Sequence, residues 1–458
     1  MLKKNTINPA IRDVWVVARI IWLTLGFNLG LFLYTYSAFL FEKFMPLGSS
    51  KALQLTILLS IVMDIFVIVI EVPTGAIADY LGRKKIIILS FILLALTNFL
   101  RAWLPFVLAI QNIFILAVLA SIIYTLSFTF YNGCCVAWMV DSIRERNIPE
   151  GHAPLLSRSW GYMFLAQIVG AIIGLLLYLN NYIFYAFSLG FMSALLCALF
   201  CVVFMKETKS ISFHEGKIDL KHSYAELISI IKTGVGLVLK VPALLYLLLA
   251  YSIFKFASDL ISYLAPVALQ ANLGTKTLNY YWFLVVFLGL LMAFLGSKLM
   301  EKINAKDGGV RKTSNARLWV YYVLVNLLIG LFVIGLGLKS LNSKLPLVLF
   351  MTTIVTCRFG YGFLSPAYNT LINAYIPPEN SKQRATILSL GSMIVSILAI
   401  FLTLPSSGPD GKATTVGWIL PGSLLVFMTV GIHILMRRYQ RKIGEIPSAV
   451  VAPVVQEG

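Results

Sequence analysis

Five ionisable side chains lie inside long apolar runs of this 458-residue chain: Asp64, Glu71, Lys255, Asp259 and Arg358. A charge at bilayer depth is costly, so each is a functional candidate. Lys255 and Asp259 are four residues apart, close enough on a helix to pair. They share a helical face with Tyr251, Ser258 and Ser262. Arg358 opens a second polar stripe that continues through Tyr361, Ser365, Asn369 and Asn373. Tyr124, Ser127 and Tyr131 form a third, and Thr24, Asn28 and Thr35 a fourth. Two chemistries fit. In one, Lys255 and Arg358 bind an anionic or strongly polar group while Asp259 competes for Lys255, so that a proton or a substrate opens the pair. In the other the charges form a static network, with Arg358 capping backbone carbonyls. Removal from water disfavours a charged carboxylate. Asp64 has no basic partner nearby in sequence, which makes it the better proton carrier, with Glu71 and Asp259 as further candidates.

The elements that must position these groups follow from composition. Hydrophobic residues make up 59% of the chain and charged residues 12%, about half the charged share of a soluble domain. Such a chain cannot cover itself with polar groups, and a lipid-facing surface is required. A spanning helix needs roughly 20 mostly apolar residues. Twelve runs qualify, at about 17–41, 52–79, 84–104, 112–141, 155–179, 182–205, 242–269, 277–300, 317–339, 345–374, 384–405 and 414–436. An even number puts both termini on one side. Of the 37 basic residues, 28 fall at the terminal side and 7 in the opposite connections. The excess marks the terminal side as cytoplasmic. It also accounts for the net charge of +18 as a topology signal with anionic lipid contact, without a nucleic-acid partner.

The connection between spans six and seven is long and polar, and divides the chain six and six. The expected units are 1–205, a linker at 206–241, 242–436 and a tail at 437–458. Apolar residues from about 223 to 239 recur at helical spacing, which predicts an amphipathic helix on the inner membrane face. The tail after Lys442 reads as disordered. Cys134, Cys135, Cys197, Cys201 and Cys357 lie in apolar runs and read as small buried hydrophobes. His152, His214, His222 and His433 form no ligand cluster. No phosphate loop and no nucleophile with a base at recognisable spacing occurs, so neither an enzyme nor a cofactor or metal is expected.

After span two the sequence runs Gly75-Ala-Ile-Ala-Asp79-Tyr80-Leu81-Gly82-Arg83-Lys84. Gly75 lets two helices approach closely, Gly82 permits a tight turn, and the basic residues pin the loop inside. The run resembles the loop signature of the major facilitator superfamily, G-x-x-x-D-(R/K)-x-G-R-(R/K), and departs from it at Tyr80. The resemblance implies an all-α membrane fold of twelve helices in two six-helix bundles related by a pseudo-two-fold, with spans one, four, seven and ten lining a central cavity. The four polar stripes would then face a small-molecule substrate. Asp79 would meet the N-terminus of span eleven near Arg384 and Ala385, where the helix dipole favours negative charge. Arg83 would pair with Asp141. Together they would latch the halves in the outward-open state. The 296–303 segment is a poor echo of this loop in the second half.

Span five carries Gly161, Gly170 and Gly174, which match part of the glycine pattern of proton-driven exporters. Leu175, Tyr178 and Leu179 stand where that pattern has Pro and Gly. The same glycines also suit a packing face. Pro366 and Gly362 would permit a bend in span ten. The segments around Glu71-Val-Pro73 and Asn373 to Ser389 resemble bacterial efflux-type members. A monomeric secondary transporter of the bacterial inner membrane is therefore expected, moving a small polar, anionic or amphipathic solute, with export slightly favoured and protons as a candidate coupling ion; span four, Tyr124 to Asp141, lacks the basic residue that many drug–proton antiporters carry there. Uptake of an anionic nutrient and flipping of a lysolipid are the alternatives.

Overall fold

A computed structural model describes residues 9–44, 49–146, 153–208, 220–273, 275–306, 312–340, 347–376, 380, 383–403 and 412–443. Span one is Pro9–Leu31, continued through a π-helical turn, Phe32–Tyr36, into Ser37–Phe44. Spans two to six are Ser49–Leu81, Arg83–Trp103, Ile110–Glu145, Ala153–Leu179 and Ile183–Phe204. Spans seven to twelve are Pro242–Leu273, Thr275–Lys306, Lys312–Ser340, Leu347–Tyr375, Arg384–Thr403 and Lys412–Ile443. Nine spans are long and apolar enough to cross a bilayer by themselves within the described residues. Spans nine and eleven contain shorter apolar helices, Trp319–Gly335 and Arg384–Ile400. Span seven follows a linker helix, Leu220–Lys240, from which it is bent by 94°. Pro242 begins the span, where its missing N–H is no loss. Large apolar side chains face outward along the spans, with Val69 65% and Phe427 75% exposed, as lipid contact requires.

The pairing of helices shows the two-fold directly. Spans one and five pack together, as do seven and eleven; three and six, as do nine and twelve; two and four, as do eight and ten. Every pair has its counterpart six spans further on. The halves meet through spans two and eleven and, symmetrically, through five and eight.

Small residues decide these approaches, because helices in lipid associate by close packing rather than by hydrophobic burial. Gly170 leaves span five against the Phe27 backbone and Gly30 of span one, and Gly174 lies against Thr35 and Leu31. Gly161 faces Ser297 of span eight. The glycines of span five thus serve helix packing. Gly362 of span ten sits on the Ala293 backbone of span eight. Gly82, between spans two and three, has φ 103° and ψ 137°, a region essentially reserved for glycine.

All five cysteines are buried and unpaired. The first part of the linker, His152, His214 and the tail beyond 443 lie outside the described residues.

Candidate functional site

Two constellations gather the charged groups predicted from the sequence to gate and bind. The first lies where span two ends and spans three, four and eleven meet, at the end of the bundle rich in Lys and Arg. Asp79 accepts from the backbone N–H of Ala385 at 3.4 Å and of Thr386 at 3.1 Å, and from the Thr386 hydroxyl at 3.0 Å. A carboxylate at a helix N-terminus satisfies orphan donors and complements the dipole. Arg83 bridges Asp79, at 3.3 Å, and Asp141. Arg384 places Nε 3.2 Å from Asp141 and donates to Asn373 Oδ1 at 2.5 Å. Arg144 donates to the Asn373 carbonyl at 3.3 Å. Arg83 and Arg384 are fully buried, with Asp79 and Asp141 at most 4% exposed. With Arg144 beside Arg384, three cations meet two anions here across the two halves. Glu207, after span six, accepts from the backbone N–H groups of Arg83 and Lys84 at 3.1 and 3.0 Å. It thereby caps span three. The Lys84 ammonium donates to the Val202 carbonyl at 2.9 Å.

The symmetric junction of spans five and eight carries its own pair. Arg158 Nε lies 2.6 Å from Glu301, which also takes Lys298 at 2.9 Å. Asn304 donates to Ser157 Oγ at 2.8 Å. The segment that reads as a poor echo of the first-half loop therefore holds a cross-half ion pair of its own. The linker helix lies beneath the start of span eleven, with Gly234 facing Thr386.

Gly75 explains how closely the halves come. A Cβ there would lie 2.9 Å from Ser389 Oγ, closer than real Cβ contacts come, and 3.1 Å from Thr386 Cα, tighter than nearly all of them. Gly75→Leu should force spans two and eleven apart. The expected result is faster thiol labelling of a cysteine introduced at Thr386, whereas Gly431→Leu, at a position with nothing within 4 Å, leaves that labelling unchanged.

The second constellation lies at mid-length of the spans. Lys255 Nζ donates to Asp259 Oδ1 at 2.6 Å and also engages Oδ2. The two side chains remain 25% and 34% exposed. The ammonium lies 5.4 Å above the Tyr361 ring, a cation–π geometry. Tyr361 packs edge-on against Trp160 and Phe164 of the other half at 6.0 and 5.9 Å. It also feels the charges of Asp259 and Arg358. Arg358 lays its stem over Gly289 of span eight. On span four, Tyr124, Phe128 and Tyr131 form a ring ladder with spacings of 6.5 and 5.4 Å. Tyr251 stacks on Tyr368 at 3.9 Å.

Two carboxylates on span two join the halves between these sites. Asp64 accepts from Ser396 of span eleven at 2.9 Å and feels both Asp259 and Lys255. Glu71, fully buried, accepts from Asn132 of span four at 3.0 Å. Asn132 also donates to Ser392 of span eleven at 2.5 Å.

Several stripe residues point elsewhere. Asn28 donates to Thr24 O and Ser193 Oγ, both at 2.9 Å, and accepts from Asn98 at 2.7 Å. Its amide is consumed between spans one, three and six, not at the centre. Ser127 donates to the Ser90 carbonyl of span three at 2.7 Å. Asn369 donates to Ser365 O of its own helix at 3.1 Å and is 6% exposed. The Ser262 side chain lies outside the described residues. Arg101, grouped by sequence with the basic residues of the far end, is instead 1% exposed inside the first half. Among the described residues no His, Cys, Asp and Glu cluster could hold a metal.

Twelve symmetric spans, charges at mid-depth between two halves and a buried ion network at one end define a secondary transporter for a small solute. The family model described as Major Facilitator Superfamily matches residues 156–403, and the chain belongs to that family. Its members are transporters that bind small molecules within the membrane. Among solved structures, the human organic anion transporter MFSD10 (TETRAN) is similar with a TM-score of 0.66 at 14% identity, covering 92% of this chain and 100% of that one. A D-xylose-proton symporter is similar with a TM-score of 0.66 at 13% identity, over 92% of this chain and 97% of that one. The proton:xylose symporter XylE, bound to 6-bromo-6-deoxy-D-glucose, gives a TM-score of 0.67 at 14% identity over 94% and 96% of the two chains. At these identities the likeness is one of fold. No curated relative matches the sequence.

Proposed function

We propose that this protein exports a small anionic or amphipathic solute in exchange for protons, by alternating access about the central Lys255–Asp259 pair. The observation that carries this reading is the pair itself. It is half-open at mid-depth, shares its surroundings with Arg358 and Tyr361, and is felt by Asp64 of the opposite half. A solute anion that takes Lys255 releases Asp259. Protons on Asp64, Glu71 and Asp259 would then set which arrangement of spans two and eleven is favoured. In this assignment Tyr124, Tyr131, Tyr251 and Arg358 border the solute, and Gly75, Asp79, Gly82, Arg83, Lys84, Asp141 and Arg384 form the gate.

We place the basic end and both termini in the cytoplasm on the strength of the Lys and Arg distribution, and take the cell as bacterial from the resemblance of the segments around Glu71 and Asn373 to Ser389 to bacterial efflux-type members. The division into 1–205, 206–241, 242–436 and 437–458 follows from the two-fold pairing and the linker helix, and the working unit is a monomer. MFSD10 is described as an organic anion transporter, which is in keeping with this reading.

Thermal stability of the purified protein against small organic anions, neutral amphiphiles and hydrophobic cations is the test. Stabilisation by anions, lost in Arg358→Ala, supports the proposal. Stabilisation by cations alone contradicts it. Flux in proteoliposomes with an imposed pH gradient then distinguishes export from uptake, and a lysolipid-flipping assay tests the lipid alternative.

A further inference from the structure

We propose that Arg101 is an anion receptor in the first half, beside the solute's route between the halves and held under a movable cover formed by the Phe32 and Tyr124 rings. This rests on the anionic-solute reading above and adds a position that it does not use.

Arg101 lies in the last turn of span three, 18 residues from Arg83 and so roughly 27 Å along the helix axis. It is therefore at the opposite end of the bundle from the ion network. It is 1% exposed. Three rings surround its guanidinium, with Phe32, Tyr36 and Tyr124 centroids at 4.6, 4.5 and 4.9 Å. Phe32 stacks on Tyr124 at 5.5 Å with an interplanar angle of 8°. No carboxylate among the described residues pairs with the guanidinium; the Tyr36 hydroxyl lies within hydrogen-bonding reach of it, while Nε and Nη2 find no hydrogen-bond partner. Glu42, an acid on the same span as Phe32 and Tyr36, is engaged by the Tyr178 hydroxyl.

A guanidinium carries five donors in a planar fork suited to a carboxylate or phosphate. Burying one with donors unused is unfavourable unless something compensates. Ring faces compensate only part of a desolvated charge. An anionic group would supply the rest.

The surroundings allow access. Phe32 and Tyr124 are only half-buried, and Tyr124 belongs to the ring ladder that also feels Lys255. Turning either ring would uncover the guanidinium, and Tyr124 would do so on the side of that ladder. Phe32 and Tyr36 belong to the π-helical turn of span one, and such turns occur often at functional sites. Thr35, in the same turn, also leaves its buried hydroxyl without a partner. The aromatic walls and fork fit an aromatic or otherwise flat monoanion.

The test uses the full chain in proteoliposomes and benzoate as probe, with benzyl alcohol and benzylamine as neutral and cationic controls. Phenylglyoxal modification of each arginine is followed by mass spectrometry. The proposal expects benzoate to slow labelling of Arg101 at least fivefold while the controls do not. It expects Phe32→Ala to speed labelling of the unliganded protein. It also expects Arg101→Gln to weaken benzoate stabilisation at least tenfold and Arg101→Lys to weaken it less. Absence of Arg101 labelling in both wild type and Phe32→Ala, or equal protection by benzyl alcohol, overturns it. Protection of Arg358 without protection of Arg101 overturns this inference and leaves the anionic-solute reading standing. Stabilisation by benzylamine and not by benzoate overturns both.

Discussion

Asp141→Asn should lower solute flux by about tenfold or more and open the basic end of the bundle. Asp141 takes Arg83 from span three and Arg384 from span eleven, and all three side chains are buried. Removing the anion leaves two cations with reduced compensation in a dry interior. Breaking a buried pair typically costs about 3–5 kcal/mol. Transporter conformations separated by a few kcal/mol would be repopulated by a change of that size. Asp79→Asn should be milder, because an amide oxygen still accepts from the start of span eleven. The double variant Asp141→Asn/Arg384→Gln should recover part of the loss, since it removes one orphaned charge with its partner. Flux in proteoliposomes and a double-mutant cycle in thermal stability check these outcomes. Equal effects of Asp141→Asn and a lipid-facing substitution such as Val69→Ala would contradict the assignment.

Asp259→Asn should separate binding from turnover. In the resting arrangement Asp259 occupies Lys255, so an anion must displace it. With Asn in place the ammonium is free, and anion affinity should rise about three- to tenfold, the scale of a partly exposed ion pair. Turnover should fall by a larger factor, because the released carboxylate no longer exists to bias the next step. Lys255→Gln should weaken anion binding instead. Titration of thermal stability gives the affinities and liposome flux gives the turnover. Weaker anion binding in Asp259→Asn would mean that Asp259 contacts the solute directly.

The membrane fold was open to reading because its signals are local. Apolar run length, the excess of Lys and Arg at one end and the glycines around Asp79 each act within one or two helical turns. The linker helix announced itself in the same way, through its period. Contacts between distant segments left no such trace. Glu207 caps span three from 124 positions away in the chain, and Asn132 reaches Ser392 across 260. Helical periodicity finds a polar face but not the neighbour it meets. Asn28 shares a stripe with Thr24 and Thr35 yet turns to Asn98 and Ser193. Arg101 reads in sequence as an ordinary basic residue near a span end. Its burial depends on a π-helical turn in span one, which no residue spacing announces. The glycines of span five carry two meanings at one spacing, and only the positions of spans one and eight show that they pack.

In the proposed cycle the two halves rock about the mid-depth site, with the basic end shut when the ion network is formed. Distances between spin labels at Glu145 and Lys302, both exposed near the basic end, and at Leu108 and Val348, both exposed at the far end, test it directly. Relative to wild type, Asp141→Asn should lengthen the first distance and shorten the second. Distances that stay fixed, or that lengthen at both ends together, would contradict alternating access through this network.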